Sequence, residues 1–81
     1  MTTSTFRSQI DGLSAQCRSF QGAVGERERT REAAALLTDV SLVKAGLEQC
    51  RRKTQADVVR AFDWIDAAKR LLFVADLPAN F

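Results

Sequence analysis

The sequence predicts an all-α fold, a small three-helix bundle or helical hairpin with coiled-coil-like packing. Three observations predict it. Apolar residues recur at spacings of three and four over most of the chain, the single proline stands at position 78, and helix stop and start signals cluster near residues 22–26 and 50–54. Together they divide residues 1–81 into one domain of three helices, at about 5–22, 26–52 and 54–76, with a short tail at 77–81.

The first helix rests on Phe6, Ile10, Leu13, Cys17, Phe20 and Val24, whose spacings alternate between four and three. That is a heptad seam, with polar residues at nearly every other position. Ser4 or Thr5 supplies an N-cap, and Gly22 and Gly25 end the segment through a left-handed residue.

The second helix repeats the pattern through Ala33, Leu36, Val40, Val43, Leu47 and Cys50. Its ends agree with the helix dipole, since Glu26 and Glu28 fall in the first turn and Arg51, Arg52 and Lys53 in the last. Glu48 precedes Arg52 by four residues, the favourable order for a surface pair. Gly46 in the interior costs about 1 kcal/mol against Ala, so it marks either a weak point or a close helix crossing.

Thr54-Gln-Ala-Asp57 fits a capping box and starts the third helix, the other reading being one bent helix over 26–76. Leu77 precedes Pro78 and is pushed out of the helical region, which ends the helix. Val58, Ala61, Phe62, Ile65, Ala68, Leu72 and Phe73 form one stripe, widened by Trp64, Leu71 and Ala75. Arg60, Asp63, Asp66 and Arg70 hold the polar side, with Asp66 and Arg70 ordered as a pair. A face this broad needs more than one neighbour, so the third helix belongs against both others in an up-down-up arrangement.

Composition removes most chemistry. The chain has no His, two Cys and a single Met, so catalytic triads, Cys-His pairs and His-based metal sites are unavailable. No enzyme activity, cofactor or small-molecule substrate is expected. Both cysteines fall on apolar seams, where a free Cys behaves as a small hydrophobe. The first residues hold no apolar core typical of a secretory signal, and the expectation is a reducing, cytoplasmic location with free thiols. Apolar runs are far shorter than the roughly 20 residues needed to cross a bilayer. A net charge of +2, with acids and bases interspersed, describes a solvated surface more than a polyanion trap.

Lys53-Thr-Gln-Ala-Asp-Val-Val-Arg-Ala-Phe62 resembles the opening helix of a helix-turn-helix, which implies, as the alternative reading, a small DNA-binding regulator built around residues 53–72. A turn should follow, but Asp63-Trp64-Ile65-Asp66 continues in helical phase. The recognition helix would also present Asp63 and Asp66 to phosphates, so nucleic acid is the disfavoured partner. Arg51, Arg52, Lys53 and Arg60 are candidate contacts for an anion or an acidic partner.

The favoured expectation is a non-enzymatic interaction module, an adaptor, small chaperone, inhibitor or assembly subunit, bound to a protein partner or to copies of itself. A domain this small buries only about 60% of the surface its unfolded chain exposes, yet its apolar stripes are wide. The candidate partner-binding residues are Phe6, Ile10, Leu13, Cys17 and Phe20 on the first helix, and Trp64 and Leu71 on the flank of the third.

Overall fold

The computed structural model describes residues 1–75 of the chain. They form three helices: α1 (Thr3–Gly22), α2 (Glu26–Gln49) and α3 (Gln55–Val74). The expected end of the third helix at 76 and the tail at 77–81 lie outside the described residues. Thr3 of α1 meets the end of α2, where its hydroxyl lies 4.0 Å from Cys50 Sγ, while Gln16 donates to Glu32 near the beginning of α2. These contacts make α1 and α2 antiparallel. Arg7 pairs with Asp57 and Asp11 with Arg60, so α1 and α3 run parallel, and the bundle is up-down-up.

Each boundary has a local cause. Thr2, not Ser4 or Thr5, caps α1: its hydroxyl accepts the Thr5 N–H at 3.1 Å and its carbonyl accepts the Phe6 N–H at 3.1 Å. The earlier start is possible because Thr2 offers the same hydroxyl cap and no Gly or Pro stands between Thr2 and Phe6. Of the two glycines expected to end α1, Gly22 stays helical and Gly25 alone adopts positive φ, at 91°. With α1 finished at Gly22, Val24 leaves the seam and is 82% exposed. Gly25 caps α2 without a side chain, and Glu28 reaches back to accept the Val24 N–H at 3.2 Å.

The expectation that α2 runs to residue 52 is corrected by Cys50, whose backbone is extended (φ −84°, ψ 111°). Arg51 and Arg52 form a turn rather than a last helical turn, and Lys53 donates from Nζ to the Cys50 carbonyl at 2.7 Å. A second extended residue, Thr54, then opens α3. Helices two and three are therefore separate. The capping box forms in full, Thr54 Oγ1 accepting the Asp57 N–H at 3.2 Å and Asp57 Oδ2 accepting the Thr54 N–H at 3.0 Å.

The core is continuous through all three helices. Phe6, Ile10, Leu13, Cys17 and Phe20 of α1 meet Ala33, Leu36, Val40 and Val43 of α2, Cys50 beyond its end, and Ala61, Ile65, Ala68 and Leu72 of α3. Gly46 marks the closest crossing of α1 and α2: a Cβ there would stand 2.5 Å from Phe6 Cδ1. The Phe6 ring is seated on bare backbone.

Candidate interaction groove

The sequence-predicted partner residues separate into two groups. Phe6, Ile10, Leu13, Cys17 and Phe20 are between 0% and 4% exposed, because the heptad seam of α1 is covered from both sides by α2 and α3. The expectation that this seam recognises a partner is therefore corrected for Phe6, Ile10 and Leu13, whose surface is spent in the core, while Cys17 and Phe20 keep only a narrow edge toward the groove described next. Trp64 and Leu71 are only half-buried, packed against the core from its edge.

Both line an open groove of about 560 Å³ between the C-terminal halves of α1 and α3. Its floor comes from Cys17 and Phe20 on one side and Trp64, Ala67 and Leu71 on the other, with Val74 and Ala75 at the end. The groove exists because α3 carries apolar residues over more of its circumference than α1 and α2 can cover. Arg18, Arg29 and Arg70 stand around it, and no carboxylate lines it among the described residues. Arg18 donates to Ser14 Oγ at 2.9 Å. Among the described residues Arg29 and Arg70 form no ion pair, and the expected Asp66–Arg70 surface pair is not made. The expected up-down-up order already brings the start of α2 beside the ends of α1 and α3, but helical spacing does not give the rotation of each helix that turns these three arginines toward one groove.

The other flank of α3 is less uniform. Phe62 and Phe73, placed by periodicity on the core stripe, are 53% and 83% exposed. The core takes a line centred on Ala61, Ile65, Ala68 and Leu72, and both phenylalanines stand off it by about a quarter turn. Phe62 joins Leu47 in a groove of about 360 Å³ with Lys44, Glu48, Asp66 and Lys69, so that surface carries both signs of charge.

The candidate anion contacts do not converge. Lys53 is engaged on the Cys50 carbonyl and Arg60 on Asp11. Arg51 and Arg52 remain exposed beside the start of α1, in a shallow recess with Thr2 and Thr3. Asp57 is also occupied: it takes Arg7 Nε at 3.0 Å and Arg7 Nη2 at 3.3 Å besides the Thr54 N–H. The Arg7 guanidinium and the Thr54 N–H lower its pKa to about 2. It is a structural carboxylate joining α1 to α3.

Cys17 and Cys50 are both buried and free. Cys50 sits near Thr3, and Cys17 lies about 21 Å farther along α1 at 1.5 Å per residue, too far for a disulfide. Burial, then the nearby Asp39 carboxylate, pushes the Cys17 thiol pKa up, so it stays protonated and poorly nucleophilic. No group of three His, Cys, Asp or Glu side chains is placed to hold a metal among the described residues, and no helix there is long and apolar enough to cross a membrane. No known protein family, curated protein or solved structure matches the chain.

Proposed function

We propose that the chain is a non-enzymatic helical interaction module that binds a protein partner along the α1–α3 groove, with Trp64 and Leu71 as anchors. The observation that carries this reading is the contrast in burial. The core is closed at every position of the α1 seam, yet the only Trp and its neighbour Leu71 are left half-buried in an open apolar groove. Trp is enriched among residues that dominate binding energy, and covering the groove removes apolar surface from water without unfolding anything. An adaptor, chaperone, inhibitor or assembly subunit would each use the groove in this way.

The helix-turn-helix alternative has less support: residues 55–74 are one unbroken helix, without the turn that motif needs before its recognition helix.

The test is affinity capture from native lysate with the unaltered chain, Leu71→Glu and, as a control on the opposite flank, Phe62→Glu. A partner retained by the unaltered chain and by Phe62→Glu but lost with Leu71→Glu supports the groove. Retention by Leu71→Glu, with circular dichroism showing both variants folded, would discard it.

A further inference from the structure

Resting on the groove reading above, we infer that the occupant is an acidic amphipathic helix of a partner protein, lying antiparallel to α1 and α3 as a fourth bundle helix. Its N-terminal turn meets Arg18, Arg29 and Arg70.

The geometry carries the first part. Parallel helices α1 and α3 flank an open groove, and in an up-down-up-down bundle the fourth helix runs antiparallel to both the first and the third. From Trp64 to Ala75 the lining of α3 extends about 16 Å, or about three turns. An occupant with apolar residues at i, i+4, i+7 and i+11 spans about the same 16 Å and presents one stripe to the groove.

Charge carries the second part. Arginines of all three helices border the groove, and no carboxylate answers them among the described lining residues. Acidic groups on the occupant complete that pattern. Dipoles fix its direction. The arginines stand where α1 and α3 end, and neither helix has a basic residue in its last turn. A helix bound antiparallel brings its positive N-terminal end against those two negative ends, and carboxylates in its first turn fall beside the arginines. A second copy seated groove to groove is disfavoured by the same charges, since a twofold contact would bring two sets of three arginines together.

The experiment uses the full chain and the fluorescence of Trp64. The probes are synthetic helical peptides of about 16 residues, free of Trp, with Leu at the spacing above and either Glu or Lys in the first turn. The expected result is that the Glu peptide binds at least about tenfold more tightly than the Lys peptide at low salt, with the difference shrinking as salt is added. Moving the Glu residues to the C-terminal turn should weaken binding. The double variant Arg29→Glu/Arg70→Glu should reverse the preference while keeping its helical circular dichroism, because both side chains are exposed and unpaired among the described residues.

Equal or tighter binding of the Lys peptide, or no saturable change with either peptide, overturns the inference. So does a response to vesicles of anionic phospholipid where the Glu peptide gives none. A dimer detected by sedimentation, abolished by Leu71→Glu and indifferent to the Glu peptide, assigns the groove to a second copy and overturns it too. The two readings fail separately: equal binding of both peptides removes only the charge assignment, whereas capture of a native partner by Leu71→Glu removes the groove itself.

Discussion

Asp57 shows how one side chain can serve two elements at once. Its carboxylate closes the capping box of α3 through the Thr54 N–H and receives the Arg7 guanidinium of α1. Its pKa falls from 3.8 to about 2, and the sign of the pH dependence follows. Above pH 3.8 the group is ionised in both states and contributes in full. Between pH 3.8 and about 2 the unfolded chain takes up the proton first, so the contribution is lost as pH falls. Asp39 works in the opposite sense, because burial raises its pKa and its charge weakens the fold as pH rises above the ordinary value. Urea midpoints measured from pH 7 to pH 2 should fall less steeply between pH 4 and 2 for Asp57→Asn than for the unaltered chain. Parallel curves would separate Asp57 from acid sensitivity. The glycines offer a second contrast. Gly46→Ala puts a Cβ 2.5 Å from the fully buried Phe6 ring and 2.9 Å from Gln9 Oε1. The ring has nowhere to go, and overpacking of about 1–3 kcal/mol outweighs the gain of about 1 kcal/mol in helix propensity. Gly12→Ala, with nothing within 4 Å, keeps that gain. Thermal melting should therefore move down for Gly46→Ala and up for Gly12→Ala; a rise for both would deny the close crossing.

At the scale of elements, the two connections use different chemistry. Between α1 and α2 the chain turns in Ala23–Gly25, and Gly25 holds φ 91° and ψ 152°, a region open to glycine and strained for other residues. Gly25→Ala should cost about 1–3 kcal/mol although its Cβ would touch nothing. Between α2 and α3 the stop is made by Cys50 and Lys53 and the start by Thr54, and Thr54→Ala should cost about 1 kcal/mol. Chemical denaturation of both variants checks the pair, and a neutral Gly25→Ala would show that the turn can be remade with negative φ. The start of α3 was legible beforehand, because a capping box is local in sequence. The end of α2 was not. Cationic residues at 51–53 complement a helix dipole equally well inside the last turn or just beyond it, and only the burial of Cys50 against the start of α1 selects the second. The same limit explains the start of α1, where several hydroxyl residues in a row each offer a local cap.

For the whole molecule, one core shared by three helices implies one unfolding transition. Leu13 is fully buried among them, so Leu13→Ala should cost about 2–5 kcal/mol, a large part of the roughly 5–15 kcal/mol that holds a domain together. Far-ultraviolet circular dichroism and Trp64 fluorescence should lose their signals together in this variant; separate transitions would mean that α1 unfolds apart from the rest. Shared burial also decided which residues remain for recognition. Heptad spacing identified Phe6, Ile10, Leu13, Cys17 and Phe20 as a seam, but periodicity is identical whether the covering helix belongs to the same chain or another. The excess width of α3 was likewise visible, while its consequence differed on the two flanks: Trp64 and Leu71 line the apolar groove, whereas Phe62 lines a groove of mixed charge with Leu47 and Phe73 stands out in solvent. By itself the sequence determined the all-α class, the capping box and the lack of histidine chemistry, because each depends on residue type or on spacing within a few turns, and it left open whether residues 26–76 are two helices or one bent helix. Tertiary structure alone decided that the α1 seam is core, that Arg7 reaches Asp57, and that arginines from three helices border one groove, because each requires segments distant in the chain to be brought together in space.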